Sequence, residues 1–155
     1  MSNAVADKYR GCNYFDSESE KNKAIAELTE EEGDLQTEID AWEHAYNNYQ
    51  DDVLPKLTLA NDDFEGFVTN KMKNAQIYLN EGYNGDKLDD LNAEMDEYLE
   101  ELTSCNEDIQ AFIEDINIRQ RDISLKKRRL EDDLIDLRSV LDAVRSAAIL
   151  YHNGY

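Results

Sequence analysis

The only histidines are His44 and His152, and neither sits in a catalytic pattern. A metal centre inside a helical bundle needs Glu-x-x-His pairs on two helices. Neither histidine has a glutamate three residues before it. HExxH, a P-loop and GxGxxG are absent as well. The run "DDLNAEMDEYLEE" (89–101) is rich in carboxylates but lacks the spacing and the glycine of a calcium loop. On a helix those acids point around an outer, solvated face. Cys12 and Cys105 are too few for a disulfide framework and match no zinc spacing. Composition alone leaves a Ser/His/Asp or Cys/His set open. His44, between Trp42 and Tyr46, reads as a solvent-facing helix residue, and His152 lies in the tail. The residues point to a protein that is not an enzyme and holds no cofactor or metal.

The one basic cluster, Lys126 to Arg129, lies in "RQRDISLKKRRLEDD" (119–133) and is followed at once by acids. It reads as a basic collar pairing with acids on a neighbouring helix, not as a nucleic-acid site.

The elements that carry these residues are helical. The chain has 155 residues, one proline and six glycines, with 34% charged and 41% apolar residues. So few turn formers favour long amphipathic helices over strands. The net charge is −20, and residues 1–106 carry most of it, with 26 acids against 8 bases. Such a field repels nucleic acid and anionic lipid. No apolar run approaches the roughly 20 residues of a membrane span, and "MSNAVADKYRGCNYF" has no signal-peptide core. The expectation is no membrane insertion, with the chain cytoplasmic or exported together with a partner by a Sec-independent route.

Residues 1–16 are expected to be a flexible segment, 17–150 one helical domain and 151–155 a tail. A first helix is predicted over 17–54. Ile25, Leu28, Glu32, Leu35, Ile39, Trp42, Tyr46, Tyr49 and Val53 follow a 3-4 spacing, with Asp16, Ser17 and Ser19 as possible caps. Pro55 ends it. A second helix, 61–81, starts at Asn61, Asp62 and Asp63 and stops at "NEGYNGD". From Asp86 to about Leu150 there is neither proline nor glycine. Leu88, Leu91, Met95, Tyr98, Leu102, Cys105 and Ile109 form a 3-4 seam there. Its rhythm shifts at Phe112/Ile113, so 86–150 is either one long helix, straight or kinked near 103–113, or a hairpin. The predicted fold is all-α: an elongated helical hairpin or antiparallel coiled coil with a long C-terminal helix.

A helix, a break, then "LTLANDDFEGF" with Ala60, Phe64, Gly66 and Phe67 resembles the W-x-G hairpin proteins of type VII secretion. It is also similar to the small helical partners of LXG toxins. The resemblance spans about residues 20–85, with "LTLANDDF" standing where the W-x-G turn would be. It implies a non-catalytic protein that pairs with the helical N-terminal region of a secreted toxin, or with another small helical partner, and aids its export. The aromatics around the expected hairpin tip supply the candidate interface: Trp42, Tyr46, Tyr49, Leu59, Phe64, Phe67, Val68 and Met72. Two other readings stand beside it. One is a homo-oligomeric structural coiled coil; the other is an acidic DNA mimic that inhibits a nucleic-acid-binding enzyme.

Overall fold

The computed structural model describes residues 3–82 and 84–150. The expected tail 151–155, with His152, lies outside them. The fold is all-α apart from a pair of two-residue strands. Its elements are α1 (Ala4–Tyr9), β1 (Tyr14–Phe15), α2 (Glu18–Asn48), α3 (Leu54–Gly66), α4 (Lys73–Gly82), α5 (Asp86–Arg145) and β2 (Ala148–Ile149). Two π-helical stretches, π1 (Tyr49–Val53) and π2 (Phe67–Met72), join α2 to α3 and α3 to α4. No described helix is long and apolar enough to cross a membrane.

The chain divides into two compact units, Met1–Tyr46 with Asp122–Tyr155, and Asn47–Arg121. In the first unit, α2 begins where Ser17 Oγ accepts from the Glu20 amide at 3.2 Å, as the cap signal indicated. The helix runs through Gly33 without interruption. Its seam residues Leu28, Leu35 and Ile39 are buried with Leu134, Leu137, Leu141 and Val144 of α5. Arg138 donates to Glu32 at 2.7 Å and Lys127 to Glu43 at 3.1 Å. The first arm thus gains eleven residues while the second loses eleven, which is an antiparallel register.

The expected flexible segment is folded over its described part. Asn3 Oδ1 accepts from the Val5 and Ala6 amides and caps α1. Ala6, fully buried, belongs to the core of the first unit, with Val5, Tyr9 and Cys12 packed against that core. Lys8 and the Tyr9 hydroxyl both donate to Glu27 of α2, and Arg10 grips Asp136 of α5 with two N–H groups. β1 pairs in parallel with β2, Tyr14 beside Ala148 and Phe15 beside Ile149. This segment is held by Glu27 of α2 and by Asp136 and β2 more than a hundred residues away, contacts that no local pattern records.

In the second unit the break expected at Pro55 is absent, and the helical path continues from α2 to Gly82. A proline ring clashes with the carbonyl four residues back in a regular helix. Here the preceding turn is wide: the Leu54 amide reaches back five residues to the Tyr49 carbonyl. Pro55, exposed in the first turn of α3, then needs no amide partner. Asn61, Asp62 and Asp63 consequently start no helix. The reversal comes instead between α4 and α5, where Gly85 takes φ +73° and α5 begins at Asp86.

The hairpin of this unit is antiparallel too. Gln120 donates to Gln50, and Gln76 donates to Asp96, each at 2.9 Å. Between these pairs the first arm advances twenty-six residues and the second only twenty-four. The two extra residues match the two π-helical stretches, each of which absorbs one.

α5 is one long α-helix across 86–145, so the chain does not turn back as a hairpin near 103–113. Burial also moves the seam. One row is Leu88, Met95, Leu102, Ile109, Ile116, Ile123, Leu130, Leu137 and Val144; the other is Asn92, Leu99, Asn106, Ile113, Gln120, Lys127, Leu134 and Leu141. All are buried or half-buried. These alternate in an unbroken 3-4 rhythm, so no stutter is needed. Tyr98 and Cys105 are exposed, and Leu99 and Asn106 take the seam places assigned to them. The apolar choice misled because the true seam carries asparagine.

Candidate partner interface

Trp42 and Tyr46 fall in the first unit and Tyr49, Leu59, Phe64, Phe67, Val68 and Met72 in the second. The reversal lies between α4 and α5, away from the stretch around Pro55 that these residues were expected to surround. Trp42 and Tyr46 lie half-buried on α2. The Trp42 ring carries Lys126 Nζ 4.3 Å from its centroid, and Lys127 bonds Glu43 and Glu131. Two residues of the basic cluster therefore engage α2, as a collar would. The Glu43 carboxylate holds the Lys127 ammonium above its ordinary pKa by that hydrogen bond. His44 is exposed.

Tyr49, Phe64, Val68 and Met72 line the seam of the second unit together with Leu57, Ala75 and Leu79, and all are half-buried. Leu59 and Phe67 point outward, 63% and 44% exposed. Of the eight, four stabilise the hairpin of the second unit, two sit on α2, and two face solvent.

The second unit is loosely closed. Among its described residues only Asn61, Ile116 and Gln120 are buried, against the twelve-residue core of the first unit. Its seam holds Asn61, Asn92, Asn106 and Gln120 where a stable coiled coil would carry leucine. The side-chain oxygens of Asn61, Asn92 and Asn106 are buried without a hydrogen-bond partner among the described residues. A cavity of about 270 Å³ enters between the arms, walled by Val68, Thr69, Leu99, Thr103 and Asn106. Ile77, Tyr78, Tyr98, Phe112 and Ile118 also lie exposed on this unit.

Sequence reasoning missed Tyr98, Cys105 and Phe112 as surface residues because it spent the first two on the internal seam. The signal was present: a row of apolar residues seven apart, immediately preceding the polar row Asn92, Leu99, Asn106 and Ile113. Among the described residues no group of three or more His, Cys, Asp or Glu could hold a metal ion. Both cysteines are free, Cys12 half-buried and Cys105 exposed.

Comparison with protein-family models, with curated proteins and with solved structures finds no match to the chain.

Proposed function

We propose that this chain is a non-catalytic helical binding protein. Its partner is the helical N-terminal region of a secreted toxin, and the pairing aids export by a type VII secretion system. The observation that carries the binding role is the half-closed second unit. Its two arms bury only three described residues and leave Leu59, Phe67, Ile77, Tyr78, Tyr98, Phe112 and Ile118 exposed. Apolar area left on a thin helical pair is what an added helix covers, and such helices dock by 3-4 anchors. The resemblance to the toxin partners supplies the export role.

The test is affinity purification of the tagged full chain from its native cell at low and high salt. A large protein with a helical N-terminal region, retained at high salt, is the expected catch. A basic nuclease or polymerase released by salt would replace this reading with the DNA mimic. Recovery of the chain alone, as a discrete oligomer, would replace it with the structural coiled coil.

A further inference from the structure

α5 carries two overlapping 3-4 seams between 88 and 116. The internal one includes Asn92 and Asn106. The other combines Leu88, Met95, Leu102 and Ile109 with Leu91, Tyr98, Cys105 and Phe112, and it holds no polar residue at all. The outer row of this more apolar seam is left largely open: Leu91 is half-buried, Tyr98 is 58% and Phe112 55% exposed, and Cys105 is exposed and free. Continued by sevens, this outer row turns charged at Arg119, Lys126 and Asp133 before reaching Val140, which is buried in the core of the first unit.

Charge decides the chemistry of the missing helix. Glu94, Glu101, Asp108 and Asp115 stand three residues after each member of the outer row, seven apart, or about 10.5 Å along the axis. All four are exposed, and none forms an ion pair with a described residue. Around Tyr98 they make a groove of about 300 Å³ with Glu94, Glu97 and Glu101 as its walls. Residues 47–121 hold 18 acids and 6 bases. A second copy laid on this stripe would set carboxylate rows against each other, which like-charge repulsion opposes.

We infer that the stripe Leu91, Tyr98, Cys105 and Phe112, with its carboxylate border, is the docking face for a basic amphipathic helix of another protein. That helix presents apolar residues at 3-4 spacing and Lys or Arg along the flank facing Glu94, Glu101, Asp108 and Asp115. The inference rests on the binding role proposed above and names the surface and the partner's chemistry.

The probe is a labelled synthetic helix of about 28 residues, four heptads, with a leucine seam and lysine/arginine flanks. It is titrated into the full chain by fluorescence anisotropy, with thiol labelling of Cys105 as a second readout. Expected are saturable binding, protection of Cys105, and weakening by at least about tenfold in Tyr98→Gln/Phe112→Gln. A variant with Glu94→Gln, Glu101→Gln, Asp108→Asn and Asp115→Asn loses affinity similarly, and its remaining binding no longer falls with salt. Circular dichroism checks that both variants stay helical. Binding that ignores both variants, equal binding of a peptide with acidic flanks, or unprotected Cys105 would overturn the inference. So would a wild-type dimer that Tyr98→Gln/Phe112→Gln dissociates, since the second copy would then be the occupant. If a native helical partner is retained equally by that double variant, this surface is wrong while the binding role stands. If native purification yields no helical partner, the binding role itself fails, whatever the peptide does.

Discussion

Asn61 offers the sharpest test of how the second unit is held together. It keeps 9% of its surface exposed, and its Oδ1 has no partner. A buried polar atom left unsatisfied costs about 1–3 kcal/mol. Asn61→Leu removes that cost and adds apolar burial at about 0.8 kcal/mol per methylene newly covered. Overpacking opposes this by about 1–3 kcal/mol in a tight core, but this seam is half-open, with most neighbours half-buried. The net expectation is a gain of about 1–3 kcal/mol, roughly a five- to hundredfold slowing of local opening. Amide exchange on peptides covering 54–66 and 106–120 reads it directly, and Asn61→Ala, which removes the orphan atom without filling the site, should fall in between. Faster exchange in Asn61→Leu would refute the reasoning and mean that Asn61 is satisfied in solution. The asparagines would then serve register, the role such residues play in coiled coils.

Leu137→Ala, at a fully buried position of the first unit, should cost about 2–5 kcal/mol in urea unfolding. Arg10→Ala should free α1, seen as faster exchange over residues 4–9 with the exchange of 54–66 unchanged. Acid should do the same: Arg10 lowers the Asp136 carboxyl pKa and Lys8 lowers that of Glu27, each chiefly by a hydrogen bond. A lowered folded pKa gives stability above the ordinary carboxylate range and loses it as pH falls through the folded value. Exchange over 4–9 should therefore quicken on acidification, and Asp136→Asn should show less of that change. Lys126→Met should shift the emission of the single tryptophan, because the ammonium lies 4.3 Å from the Trp42 ring centroid.

The all-α class, the α2 seam from Leu28 to Tyr46, the Ser17 cap and the stop at Gly85 were legible because each rests on local physics. Pro55 misled because a rule about one peptide unit was applied to a helix that widens its preceding turn to accept it. Asn61 misled in the same direction: a polar residue reads as a helix start until burial shows it inside a seam. Residues 4–15 were unreadable locally, since α1 is held by Glu27 and Asp136, and β1 by a strand from the other end of the chain. The candidate interface came from clustering aromatics about a turn that lies elsewhere. The exposed row of Tyr98, Cys105 and Phe112 shows only once the true frame of α5 is known.

The most direct test of the binding role is hydrogen exchange on the chain alone and in complex with the partner that co-purifies at high salt. Slower exchange on binding, concentrated in 88–116 of α5, is the expected result. Protection confined to 18–46 and 122–145, with 88–116 unchanged, would contradict it and place the interface on the already well-packed first unit.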